Sequence, residues 1–248
     1  MQNIKLLLAY DGSSYCGWQK TATGPSIEES LQVVLEKILQ HSIVLQAASR
    51  TDAGVHADGQ VVNFSTHKQA LDTRKLLIGA NSLLPSSIRI LEISLVGSAF
   101  HATLDNIGKE YHYHVCTGTV QLPKHRFYSW HCHHPLNLSN MLEGTRYLIG
   151  KHDFKAFCNE KNREEYADHI RELQRIDIQE EPGERFLFRI KGNQFLYKMV
   201  RNIVGTLVYV GAGKLHSADL PQILASRDRT LAGVTAPAHG LFLHTVFY

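Results

Sequence analysis

The sequence predicts an α+β fold: two ferredoxin-like (βαββαβ, RRM-like) domains related by pseudo-duplication, at 1–98 and 99–248, with their sheets joined side by side. Three observations predict it. Apolar runs of strand length alternate with stretches of helical periodicity, the order strand–helix–strand–strand–helix–strand occurs twice, and no low-complexity linker intervenes.

In the first half, residues 4–10 read as a buried strand ending at a turn rich in Gly, Ser and Asp. A helix follows, since Ile27, Leu31, Val34, Leu35 and Ile38 recur at helical spacing. Ser26 as N-cap and Glu29 three residues on form a capping box behind Pro25. Short strands are expected at 43–47 and 60–65. A second helix starts near Asp72, sets Leu76, Leu77, Ala80 and Leu83 on one face, and stops at Pro85. Residues 88–95 close this half as a strand.

The second half repeats the order with insertions at 120–136 and 153–169. Residues 110–116 alternate as a strand, and 138–149 form a helix introduced by Asn137. Residues 170–179 and 185–191 make an antiparallel pair around the Pro182-Gly183 turn. Leu196, Val200, Ile203, Val204 and Leu207 mark a strongly apolar helix, and 241–247 is the final strand.

Composition narrows the class. Hydrophobic residues are 44% and charged residues 20% of 248, which excludes a disordered, collagen-like or disulfide-stapled chain. A net charge of +3 permits nucleic-acid binding only where the basic groups cluster. Cys16, Cys116, Cys132 and Cys158 lie far apart without C-x-x-C spacing, as expected in a reducing compartment. The N-terminal apolar run Leu6-Leu7-Leu8-Ala9 is too short for a signal peptide, and the stretch 203–213 is well below a membrane span. A soluble, cytoplasmic protein with no membrane partner is expected.

The densest chemical signal is the polar string from Ser49 to Gln60, which surrounds a single Val. A connection between strands usually takes only about 2–5 residues. Gly54 and Gly59 allow positive φ and close backbone approach. Asp52 has Arg50 two residues before it and His56 four after it. Such cations favour the ionised carboxylate that a nucleophile requires. A turn held by Asx-type hydrogen bonds and an Arg–Asp surface pair would use the same residues.

Five stretches carry a resemblance to a known family. They are Tyr10-Asp11-Gly12-Ser13-Ser14-Tyr15-Cys16-Gly17-Trp18-Gln19; Arg50-Thr51-Asp52-Ala53-Gly54-Val55-His56 with Gly59-Gln60-Val61-Val62-Asn63-Phe64; Lys109-Glu110-Tyr111-His112-Tyr113; Asn193-Gln194-Phe195-Leu196 through Met199-Val200-Arg201-Asn202; and Ala236-Pro237-Ala238-His239-Gly240-Leu241. In this order they resemble the motifs of the tRNA pseudouridine synthase A family, over the whole chain. The resemblance implies a cofactor-free, metal-free isomerase that flips out and converts uridines at positions 38, 39 and 40 of the tRNA anticodon stem-loop. It also implies a homodimer with one tRNA spanning both subunits.

The matching position makes Asp52 the nucleophile. The N1–C1′ bond must break, the uracil must rotate, and C5 must rejoin the sugar. One carboxylate suits this, because uracil departs as a resonance-stabilised anion; a hydrolytic glycosidase would use two, for which Asp58 is the candidate. Attack on the sugar, attack on the ring and a route through a glycal are all open to Asp52. The resemblance makes Tyr111 the residue that stacks on the flipped uracil, with a hydroxyl for proton transfer from C5. It has Arg50 filling the vacated stack or pairing with Asp52. It puts Arg201, a cation on an apolar helix, near the carboxylate, as structural support or as a direct participant.

Two further clusters are legible. Arg185, Arg189, Lys191, Lys198 and Arg201 suit phosphate contacts or a solvated face. His131-Cys132-His133-His134 invites a metal, but adjacent side chains do not easily turn to one ion. His152-Asp153-Phe154 reads as a helix-end packing element. A catalytically inert RNA-binding module is disfavoured, since Val61-Val62-Asn63-Phe64 lacks the aromatics an RRM uses.

Overall fold

A computed structural model describes residues 1–159 and 166–248, so part of the insertion expected at 153–169 lies outside the described residues. The chain divides into one unit of Met1–Ile107 with Phe242–Tyr248, and a second of Gly108–Leu241. The sequence boundary near 98 and this division differ because residues 97–107 are tied to the first unit. The buried Asn3 amide donates to the carbonyls of Gly97 and Phe100, at 3.1 and 2.8 Å, and Asn63 Oδ1 accepts from Ala102 N–H at 2.8 Å. Tyr248 then closes over the segment, its hydroxyl donating to Ala102 O.

The first unit contains β1 (Gln2–Tyr10), α1 (Ile27–Leu39), β2 (Gln46–Ala47), β3 (His56–Thr66), α2 (Thr73–Leu83) and β4 (Ile88–Val96). β1 lies between β3 and β4, antiparallel to both, and β2 pairs with β3. The spatial order 4-1-3-2 is that of a ferredoxin-like sheet. β1 alternates rather than being buried on both faces: Ile4, Leu6, Leu8 and Tyr10 enter the core while Lys5, Leu7 and Ala9 are half-buried. Phe64, paired with Ile4, and Ile27, Leu31 and Leu35 of α1 are buried as well. Ser26 Oγ accepts from Glu29 N–H at 3.2 Å, but the Glu29 carboxylate reaches Lys20 at 3.4 Å instead of completing the box. Asp72 caps α2 in the same way, and the apolar face ends on buried Leu84, with Leu83 exposed.

β3 begins at His56, four residues earlier than its apolar pattern. Polar and glycine residues weaken strand propensity, but pairing partners override it here. Ala57 pairs with Tyr10, and His56 and Ala57 pair in parallel with Phe242 and Leu243 of the last strand.

The second unit contains β5 (Gly108–Cys116), β6 (Trp130–His131), α3 (Leu138–Leu148), β7 (Gly150–Asp153), β8 (Ile170–Glu181), β9 (Arg185–Gly192), α4 (Met199–Gly211) and α5 (Leu220–Ser226). Its sheet runs β5-β9-β8-β7, antiparallel throughout, with β6 added in parallel to β5. The β8–β9 hairpin turns at Pro182-Gly183 as expected, with Gly183 at φ 83°. The final strand of this βαββαβ run is β10 (Leu241–Phe247), most of which belongs to the first unit. α4 starts at Met199, later than Leu196, because residues 193–198 carry an irregular turn with Lys198 at φ 59°.

Candidate active site

Asp52 stands in the connection between β2 and β3, in a turn closed by its own carbonyl accepting Val55 N–H at 3.1 Å. Gly54, third of the four turn residues, has φ 75°, which a side chain would resist. Asp52 is half-buried and Arg50 is exposed.

The turn is clamped by the N-terminal motif. Tyr10 Oη meets Thr51 Oγ1 at 2.7 Å, Trp18 N–H donates to Thr51 O at 3.0 Å, and Gly54 N–H donates to Tyr15 O at 3.4 Å. Gln60 fastens the other limb, its Nε2 donating to Ser49 O at 2.7 Å and its Oε1 accepting from Ser49 N–H at 3.3 Å. Two glycines make the approach possible. A Cβ on Gly17, at φ 98°, would stand 2.6 Å from Thr51 O, and one on Gly12 would collide with Val55 O. His56, fully buried, accepts Gly12 N–H on Nδ1 at 3.1 Å, lies 3.2 Å from Asp11 Oδ1, and stacks on Phe242. Two motifs separated by some thirty residues are thus one hydrogen-bonded structure. Sequence reasoning singled out Asp52 but assigned no role to Tyr10, Gly12, Gly17 or Gln60, although their motif pattern marked them.

Asp58 does not join this turn. Its carboxylate is on the exposed side of β3, 3.2 Å from His244 Nδ1, and Gly59 beside it admits the His244 backbone.

In the second unit, Lys109, Tyr111 and Tyr113 share one buried face of β5. Tyr111 is 6% exposed and meets Phe195 edge-on, with centroids 5.0 Å apart at 80°. Tyr113 is the core member of the pair. It is fully buried, donates to Pro237 O at 2.7 Å, and receives Gly240 against its ring where no Cβ would fit. Burial pushes its phenol well above the ordinary value.

Arg201, half-buried on α4, donates from Nε to Ala236 O at 2.7 Å, while its carbonyl accepts Ala236 N–H at 3.1 Å. This reciprocal pair joins the last two motifs. The neighbouring Asn202 is a fully buried hub, donating to Phe157 O and Asn159 Oδ1 and accepting from Arg229 and Thr235 at 2.7–2.9 Å. Arg229 and Thr235 carried no sequence signal, because their partner is distant in the chain.

Of the basic stretch, Arg185, Arg189 and Lys191 lie on one face of β9, and Lys198 and Arg201 lie at the start of α4. Arg185 pairs with Glu181 at 3.4 Å and Arg189 bonds Gln179, both across the β8–β9 hairpin. Lys198 lies over the Tyr197 ring and Arg201 holds Ala236. In the His131–His134 run the His131 and His133 ring centroids lie 4.2 Å apart, while His131 also meets Gly118 O, Cys132 is buried, and His134 meets Lys214 Nζ at 2.9 Å. His152 bonds Ile149 O and packs edge-on to Phe154, a helix-end element as expected.

The family model described as "tRNA pseudouridine synthase" matches residues 145–248. The "tRNA pseudouridine synthase A 2" of Protochlamydia amoebophila (strain UWE25) is 58% identical over 248 residues, all of this chain and 95% of that protein. The "tRNA pseudouridine synthase A" of Thermoanaerobacter sp. (strain X514) is 40% identical over 249 residues, covering both chains completely. That of Chlamydia trachomatis serovar L2b (strain UCH-1/proctitis) is 40% identical over all of this chain and 92% of its own. Among solved structures, an archaeal box H/ACA sRNP Nop10-Cbf5 complex is similar at TM-score 0.37 and 14% identity, over 83% of this chain and 44% of that one. The chain belongs to the tRNA pseudouridine synthase A family, and its activity is the isomerisation of uridine in tRNA.

Proposed function

We propose that Asp52 supplies the nucleophilic carboxylate of this reaction, acting on uridines 38, 39 and 40 of the tRNA anticodon stem-loop after each is flipped from its stack. The observation that supports it is the construction of the Asp52 turn. Its backbone is held by Tyr10, Tyr15, Trp18 and Gln60, and glycines stand wherever that backbone comes too close for a side chain. Such rigidity suits a group that must meet one bond at one angle. The N1–C1′ bond breaks with its electron pair leaving on uracil; C5 then bonds C1′ as the carboxylate is released, and the proton lost from C5 is matched by one gained at N1.

Tyr111 stacks on the flipped uracil, and its hydroxyl is the group for the C5 proton. Arg50, exposed beside the turn, fills the place the base has left. Arg201 supports the site through its hold on Ala236. The reaction needs no metal or organic cofactor, and a chelator leaves turnover unchanged. A homodimer holding one tRNA across both subunits, in the cytoplasm, completes the reading; light scattering of the purified protein tests the dimer.

The decisive experiment is Asp52→Asn with pseudouridine mapping of treated tRNA. Asn keeps the volume and leaves every backbone bond of the turn in place. The variant is expected to fold, to bind tRNA and to form no pseudouridine at 38–40. Conversion near the wild-type rate would make Asp52 a turn residue only.

A further inference from the structure

Lys109 is a buried ammonium with no counter-charge among the described residues. It is 9% exposed, and among the described residues its Nζ has no carboxylate and no hydrogen-bond acceptor. Lysine is almost never buried in this way without a partner. The acid next to it in sequence, Glu110, points to the opposite face of β5. There it is engaged by His112 at 2.9 Å and Arg175 at 3.2 Å. Burial alone pushes Lys109 down to about 8, with no charged neighbour contributing.

The surroundings explain the burial. Lys109 is opposite Gly192 of β9, and directly opposed residues send side chains to one face. Gly192 has none, and Phe195 occupies the space: a Cβ there would lie 3.1 Å from Phe195 Cζ and 2.9 Å from Leu173 Cδ2. Phe195 in turn braces Tyr111, two residues along from Lys109 on the same face and roughly 7 Å away. Lys109 is therefore buried beside the proposed uracil platform.

We propose that Lys109 is an oxyanion-binding residue for the target nucleotide, its ammonium taking an anionic oxygen that the RNA brings to the Tyr111 face. Two oxygens of the same nucleotide have this chemistry. One is the phosphodiester oxygen, charged from the start. The other is the uracil carbonyl oxygen, which gains charge once N1–C1′ has broken. The assignment rests on Tyr111 being the uracil platform.

The test uses Lys109→Met, which keeps an unbranched apolar stem, together with Lys109→Arg and Tyr111→Ala. The readouts are thermal midpoint, tRNA affinity against salt, and single-turnover pseudouridine formation between about pH 6 and pH 9.5. Lys109→Met is expected to melt no lower than wild type and to slow product formation by at least ~10²-fold. With the phosphodiester as ligand, affinity also falls and the salt slope drops by about 0.7–0.9. With the uracil oxygen as ligand, affinity and slope stay and only the rate falls. Wild-type turnover should decline above about pH 8, and Lys109→Arg should carry that decline upward.

The assignment is overturned if Lys109→Met converts and binds tRNA like wild type. It is equally overturned if the variant melts lower in step with its lost activity, or if Lys109→Arg leaves the alkaline decline unmoved. If Tyr111→Ala keeps full activity, the platform reading itself has failed; if Tyr111→Ala is inactive and Lys109→Met is normal, only the role of Lys109 has.

Discussion

The Asp52 turn and the Tyr111 face of β5 are held by opposite means. The turn is fixed through main-chain bonds to neighbouring motifs and through glycines that let backbones touch, as where Gly17 meets Thr51 and Asp52. The β5 face is fixed through side chains: Tyr113 sunk into the core, Tyr111 braced by Phe195, and Lys109 closed in with them. A site held by its backbone tolerates a change of side-chain chemistry but not an added Cβ. One held by packing tolerates an isosteric side chain but exposes each lost polar group as a separate effect.

The largest expected effect separates chemistry from architecture on the turn: Asp52→Asn should lose all detectable pseudouridine with an unchanged melting curve. Tyr111→Phe keeps its ring against Phe195 and should lower turnover by roughly 10²–10⁴-fold if the hydroxyl moves the C5 proton. Binding of tRNA, measured in parallel, should hardly change; an unaltered rate would leave Tyr111 as a stacking surface alone. Gly17→Ala puts a methyl 2.6 Å from Thr51 O at φ 98°, so the turn must shift while Asp52 remains. A displacement of that kind costs about 10²-fold in rate, and the melting temperature should drop as well. A wild-type rate in this variant would show that the clamp does not position the carboxylate.

Smaller effects are expected where the β5 face serves the core. Tyr113→Phe leaves Pro237 O without its buried donor, which should destabilise by about 1–3 kcal/mol and spare activity per folded molecule. The smallest effect is a pH dependence. Lys109 is pushed down to about 8 from 10.5, so the unfolded chain binds the extra proton between those values. The penalty of its burial is fully present below about pH 8 and is relieved as pH rises toward 10.5. Melting of wild type against Lys109→Met should therefore show a gap at pH 7 that narrows at pH 9.5, and a gap of constant size would mean that Lys109 is not buried as an ammonium.

Local pattern determined much of this protein. Apolar periodicity and the caps Ser26, Asp72 and Asn137 announced α1, α2 and α3 within a residue or two. An apolar run announced β1, alternation announced β5, and the Pro182-Gly183 turn announced the β8–β9 hairpin, because each depends on residues close together in the chain. The Asp52 string announced itself by polar density and glycine.

Tertiary structure decided what depends on partners distant in sequence. β3 extends back to His56 because Tyr10 and the last strand offer it backbone bonds that its own residues do not advertise. Residues 97–107 join the first unit through Asn3 and Asn63. Arg185 is matched by Glu181 across a hairpin, so the basic stretch carries a counter-charge that the chain around it does not announce. Lys109 and Glu110 are adjacent in the chain, yet the two-residue period of a strand sends them to opposite faces. The carboxylate goes to His112 and Arg175 on one side, and Lys109 is buried on the other.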